Sequence, residues 1–265
     1  MGFLNVAYAA EEGISIHLAP TVIGHVFGMP ITNTLLTVWF TMAVIAILAF
    51  TLRVKLSAVP SRLQAIFEAL FDLAYTYMAE VLESKQLARR FFPLIMTIFL
   101  FILFMNWIGL LPGVDSIGTH TIVEEHGETV SKFVPFLHPA ATDLNITIAF
   151  AIIAFLAIEI SGIVLLGLFK YGGKFFNFSS PLNFAIGIIE LFSELARLIS
   201  FAFRLFGNIF AGKTLLLVVM FFVPFVLPVP LLAFEVFVGF IQAFIFAILT
   251  LYFIKVAIAE PHGSH

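Results

Sequence analysis

The sequence predicts an all-α membrane protein with about five membrane helices and one interfacial amphipathic helix, the last two spans forming a long tilted hairpin. Three observations carry that prediction. Of 265 residues, 62% are hydrophobic and only 11% charged, whereas a soluble domain carries roughly a quarter charged residues. Uncharged runs recur that match the roughly 20 helical residues needed to cross a bilayer core about 30 Å thick. The chain then closes on two still longer apolar stretches joined by prolines. So much apolar surface exceeds what one compact core could hide, and lipid is the natural solvent for the excess. With no internal repeat or soluble second segment, residues 1–265 read as a single membrane domain.

Residues 1–33 lack a basic start, and Glu11, Glu12 and Pro20 break their apolar stretches, so they do not read as a cleaved signal peptide. The first span is 34–52 (TLLTVWFTMAVIAILAFTL). Residues 60–84 follow a helical stripe, with apolar side chains at 63, 66, 67, 70, 71, 74, 77, 78 and 81. Gln64, Glu68, Asp72, Thr76, Glu80 and Glu83 fill the other face. That pattern predicts a helix lying at the membrane surface, its carboxylates turned to water or another subunit. Residues 91–111 form the second span, with Pro93 expected in its first turn, where the missing N–H costs little. Residues 144–169 form the third, charged only at Glu159.

The closing pair is 182–223 and 231–257, joined by Pro224–Pro230. If helical throughout, the first would be roughly 63 Å long at 1.5 Å per residue, about twice the bilayer core. It must tilt by roughly 60° or kink near Gly207 or Gly212. Lysine and arginine placement sets the orientation. Residues 1–33 have none and 112–143 only Lys132, whereas Arg53, Lys55, Arg62, Lys85, Arg89 and Arg90 crowd 53–90, and Lys170 and Lys174 follow the third span. The N-terminus and 112–143 are expected outside, and 53–90, 170–181 and the C-terminus in the cytoplasm.

Ionisable residues in hydrocarbon cost a few kcal/mol at least and so point to function. The apolar spans hold Glu159, Glu190, Glu194, Arg197, Arg204, Lys213 and Glu235, with Asn208 and Gln242 beside them. Glu190, Arg197, Arg204 and Asn208 fall within roughly 40° on one helical face, joined by Ser193 and Ser200. Arginine stays protonated even when buried, and Arg204 has no acid three or four residues away. Its carboxylate must come from elsewhere, another chain included. Glu194 and Arg197 are spaced for an i, i+3 pair, either a structural salt bridge or part of the site. Folding the last two stretches about residues 223–224 would set Arg204 level with Gln242, and Lys213 level with Glu235. With no cysteine, disulfides and thiolate metal sites are excluded. His120, His126 and His138 read as solvated groups of the outer loop, and no metal, haem or other cofactor is expected.

The run Arg204-Leu205-Phe206-Gly207-Asn208-Ile209-Phe210-Ala211-Gly212 resembles the signature of subunit a of the F-type ATP synthase. Gln242-Ala243-Phe244-Ile245-Phe246, Asp143-Leu144-Asn145-Ile146-Thr147 and Met105-Asn106 with Leu110-Leu111-Pro112 match in family order. The likeness covers about residues 30 to 258. It implies a stator channel, not catalytic by itself, in the membrane sector of an ATP synthase. Its partners would be a rotor ring of c subunits, peripheral-stalk b subunits, the rest of the synthase and the lipid of a bacterial inner membrane, with no nucleic acid. Arg204 would meet each ring carboxylate and block direct flow of H⁺ or Na⁺ between two offset half-channels. Asn208, Lys213, Glu235 and Gln242 would line the outer half-channel, Glu190 and Ser193 the cytoplasmic one. Glutamate or histidine is common in the family at the positions of Lys213 and Glu235, so this pair is either a relay or a mutual neutralisation. Glu159, Glu194 and Arg197 are additional candidates without motif support. A secondary transporter is the alternative, but the inverted repeats usual there are missing. ATP chemistry is assigned to partner subunits.

Overall fold

The computed structural model describes residues 20–26, 28–54, 61–111, 113–125, 128–175 and 180–259. The reading of residues 1–19, the helix start at Pro60 and the placement of His126 lie outside them. Five helices among the described residues are long and apolar enough to cross a membrane. They are α1 (Asn33–Val54), α3 (Lys85–Leu110), α4 (Leu144–Leu166), α6 (Pro181–Phe222) and α7 (Pro228–Ile258). The amphipathic stripe forms α2 (Arg62–Val81), capped by Ser61, whose hydroxyl accepts the Gln64 N–H at 3.3 Å.

Three boundaries differ from expectation, each for a local reason. Helix α3 starts at Lys85, where Ser84 accepts the Leu87 N–H at 3.3 Å. Hydropathy saw only its apolar part, so Pro93 lies inside the helix and not in its first turn. The third span ends at Leu166, because Gly167 takes a φ of +84° that ends the helix. The chain restarts as the short α5 (Leu168–Gly172). Helix α7 begins at Pro228, three residues before the expected start, because proline at the first helical position fixes φ and lacks only an N–H that would go unused. Helix α6 runs through Gly207 and Gly212 without interruption.

The segments before α1 and between α3 and α4 contain two antiparallel hairpins that the sequence reading did not anticipate. β1 (Val22–Val26) pairs with β2 (Met29–Thr32), and β3 (Gly118–Glu125) with β4 (Glu128–Pro135). Alternating Thr, Val and Ile in β3 and β4 suit pleated backbone.

The core lies where α3 and α4 pack against α6 and α7. Small residues (Ala151, Ala154, Ala202 and Ala243, each at most 1% exposed) bring the helices close. Phe201 stacks obliquely on Phe246, ring centres 4.7 Å apart. At one end of the bundle, Asp143 caps α4 by accepting the Asn145 N–H at 2.9 Å, while its other oxygen accepts from Thr34 of α1 at 2.8 Å. One aspartate thus anchors two helices. At the opposite end, Lys255 of α7 reaches Glu83 in the α2–α3 turn at 2.7 Å. That hydrogen bond and charge hold the Glu83 carboxyl below its usual range. Helix α2 docks on α3 through Tyr75 and Phe71 against Phe92. It leaves Ile66, Leu70 and Leu73 exposed as the apolar strip expected to meet lipid.

Candidate functional site

Helix α6 presents a largely uncovered face to its surroundings. Ile186, Ile189, Phe192, Ile199 and Phe203 are each more than half exposed. Its 42 residues make roughly 63 Å of helix, far more than α4 and α7 cover. The polar residues predicted as one stripe occupy this region.

Arg204 is partly buried. Its Nη2 donates to Ser200 Oγ at 3.1 Å, and its Nη1 is buried without a partner among the described residues. No carboxylate of the described chain pairs with it. Below Arg204, a cleft of about 250 Å³ is lined by Ser193, Arg197, Ser200, Arg204 and Phe253. Ser193 and Arg204 therefore share one wall, as the sequence stripe required. Glu190 lies half-buried farther along α6, roughly 21 Å from Arg204 by helical rise.

Glu194 and Arg197 form the i, i+3 pair, at 2.6 Å. The Arg197 guanidinium lies 4.0 Å from the centre of the Phe253 ring, a cation–π contact that ties α6 to α7. Glu159 of α4 accepts the Tyr171 hydroxyl at 2.9 Å, and its other oxygen is buried without a partner among the described residues. The break at Gly167 swings Tyr171 back onto α4. Its ring packs so closely on Gly162 that a Cβ there would overlap it. Burial first, then the Glu159 hydrogen bond, pushes the Tyr171 phenol well above its usual range.

Toward the α6–α7 connection from Arg204, the expected register shifts by about a turn. Asn208 Nδ2 donates to Gln242 Oε1 at 2.7 Å, so Gln242 is level with Asn208 and not with Arg204. The midpoint of that pair is residue 225, the centre of the Val223–Leu227 connection between the helices. Buried Glu235 sets its carboxylate against the α6 backbone at Gly212, where any Cβ would collide with it. Lys213 points about 100° away from Gly212, and its Nζ lies 3.1 and 3.2 Å from the two ring nitrogens of His138. Glu235 thus meets Gly212 while Lys213 meets His138.

Two residues that the sequence reading did not assign to the site belong beside it. Asn106 of α3 donates to the Gly239 carbonyl at 3.2 Å, leaving its Oδ1 buried and unpartnered. An amide inside an apolar span was the available signal. His138 was taken as solvated loop but is partly buried against Lys213. Gly207–Thr214 also spells GxxxxGK[ST], a match the sequence reading overlooked. That phosphate-cradling pattern requires a loop between strand and helix. Here it lies wholly inside α6, where the backbone N–H groups are spent on the helix and the Glu235 carboxylate would repel phosphate. Among the described residues, no group of three or more His, Asp or Glu could hold a metal ion.

A part-buried amide pair, an arginine with no acidic partner among the described residues and a buried carboxylate along two long apolar helices are the features to be matched. The family model described as ATP synthase A chain matches residues 35–255. The chain belongs to that family. Among relatives, a protein of Moorella thermoacetica named ATP synthase subunit a is 32% identical, over 90% of this chain and 96% of its own length. The proteins of that name from Gloeobacter violaceus and Mycobacterium tuberculosis are 36% and 33% identical, over 88% and 97% of this chain and 86% and 98% of theirs. The family match spans all five membrane helices and includes every candidate residue. The chain is thus a multi-pass membrane protein of the ATP synthase A chain family.

Proposed function

We propose that this chain is the ion-translocating stator subunit of a rotary ATP synthase, with Arg204 separating two offset half-channels. The observation that carries this reading is the state of Arg204. A fixed cation that is only partly buried, has no acidic partner among the described residues and sits on a largely uncovered helix is suited to a carboxylate delivered by another chain. A rotor ring of c subunits would supply one carboxylate per step. Each would arrive ionised, pair with Arg204 and leave to be neutralised on the other side, while the guanidinium repels a cation trying to pass directly.

The outer half-channel would run along Asn208, Gln242, Glu235 and Lys213. The cytoplasmic one would run along Ser193 and Glu190, beside the Glu194–Arg197 pair, with Glu159 as a further polar group. Its transported ion is H⁺ or Na⁺. The N-terminus and 112–143 would face outward and 53–90 the cytoplasm of a bacterial inner membrane, with b subunits holding the stator. One charge crossing 100 mV releases about 2.3 kcal/mol, so several ions must be summed per ATP, which a ring accomplishes and a lone chain does not.

The deciding experiment is ATP-driven ion pumping by the reconstituted complex carrying Arg204→Ala, with assembly verified. Loss of pumping in an assembled complex is expected. Near-normal pumping would make the arginine structural and overturn the half-channel reading.

A further inference from the structure

The polar residues outward of Arg204 form a ladder whose last rung is not on a membrane helix. Asn208 and Gln242 come first, then Glu235 at Gly212, then Lys213 with His138. Lys213 lies nine residues, or roughly 13.5 Å of helix, from Arg204. His138 belongs to the segment that leads from β4 into the 3₁₀ turn Ala140–Thr142.

That segment is fixed from several sides. The His138 N–H donates to Thr37 Oγ1 at 3.0 Å, and the Thr37 hydroxyl donates to the His138 carbonyl at 2.8 Å. The next residue, Pro139, lies so close to α3 that a Cβ on Gly109 would come within 2.8 Å of it. A loop histidine held this firmly, with a lysine ammonium at its ring, is placed for a task.

The charges around it are few. Lys213 approaches from α6, and Glu235 of α7 lies at the neighbouring Gly212. Asp143, at the start of α4, is engaged by Thr34 and the Asn145 N–H. Helix α1 offers hydroxyls and α3 the glycine contact. An ammonium only donates hydrogen bonds, so Lys213 can bond the ring only at an unprotonated nitrogen.

Building on the stator reading, we propose that His138 is the entry residue of the outer half-channel, relaying protons between outside water and Glu235. The Lys213 ammonium swings off the unprotonated ring nitrogen, whose freed lone pair takes one proton from outside water and gives an imidazolium. A proton then leaves from the other ring nitrogen, through water, toward the Glu235 carboxylate, and the neutral ring is restored. Lys213 remains an ammonium throughout. Its like charge keeps the imidazolium short-lived, so the proton is passed on and not stored. Histidine is the side chain whose titration fits this use near neutral pH.

The test is ATP-driven proton pumping by the assembled complex in vesicles, with outer-side pH varied and cytoplasmic-side pH fixed. His138→Gln fills similar space and still offers Lys213 an acceptor, but cannot carry a proton. It is expected to cut pumping about fivefold or more and to flatten its response to outer pH between about 6 and 8. His138→Ala should do the same, and if that variant fails to assemble, His138→Gln decides. Wild-type rate and pH response in His138→Gln would overturn the proposal. Pumping of Na⁺ in place of protons would overturn it too, leaving the stator reading intact. Arg204→Ala in parallel reports on that reading separately, since its loss of pumping does not depend on His138.

Discussion

Asn208 on α6 donates a hydrogen bond to Gln242 on α7 across 2.7 Å, one helical turn outward of Arg204. Gln242 is 1% exposed, and its Nε2 has no partner among the described residues. A hydrogen bond between membrane helices contributes only about 0.6 kcal/mol on average. Burying a second, unused donor costs more than that. The amide pair is thus poorly explained by stability and well explained by a polar path.

Gln242→Leu separates the two accounts. It removes a weak bond and an unsatisfied donor together, so the complex is expected to assemble normally. Coupled pumping should fall on the order of tenfold, equivalent to about 1.4 kcal/mol on the barrier. Normal pumping by the assembled variant would assign the pair to packing alone.

Gly212 tests the position of Glu235. A methyl group there collides with the carboxylate, and the packed backbone leaves it little room to retreat. Gly212→Ala is expected to reduce pumping with the complex still assembled. Glu235→Asp, one methylene shorter, should restore part of the activity when combined with it. The rates of the two single variants and the double variant, measured in the same vesicles, check whether the effects compensate. Simple addition would mean that the carboxylate does not lie at Gly212.

Tyr171→Phe addresses the Glu159 end of α4. The Tyr171 hydroxyl is the hydrogen-bond donor to Glu159, and its removal leaves that carboxylate oxygen unpartnered, at a cost of about 1–3 kcal/mol. Because the phenol is held above its usual range, its contribution is fully present below the ordinary tyrosine pKa of about 10. It is lost only as pH rises through the still higher folded-state value. Thermal unfolding of the purified complex should therefore show the Phe variant less stable at neutral pH, with the gap closing only in strong alkali. A gap that closed already near neutral pH would contradict this assignment.

Much of the fold was legible because a bilayer imposes one-dimensional rules. Twenty apolar residues make a span wherever they occur, so the five crossing helices could be read from hydropathy, and Arg204 stood out because an arginine in hydrocarbon needs a reason. Boundaries were less legible where polar turns continue an apolar helix, as at Lys85, or where a single glycine stops one, as at Gly167. The hairpins follow a different signal, the β-branched content of β3 and β4, which a hydropathy window does not register.

The sequence by itself determined the class of protein, the number of spans, the family and the residues that do not belong in lipid. Helical periodicity also placed Glu190, Arg197, Arg204 and Asn208 on one stripe, since that depends only on local geometry. Which side chains meet across helices was decided by the tertiary structure. A turn centred two residues later than the arithmetic assumed moved Gln242 from Arg204 to Asn208. A 100° step between Gly212 and Lys213 sent the carboxylate to one and His138 to the other. Register and facing depend on how connections bend and how closely small residues let helices approach, and neither is encoded in the distance between two residues along the chain.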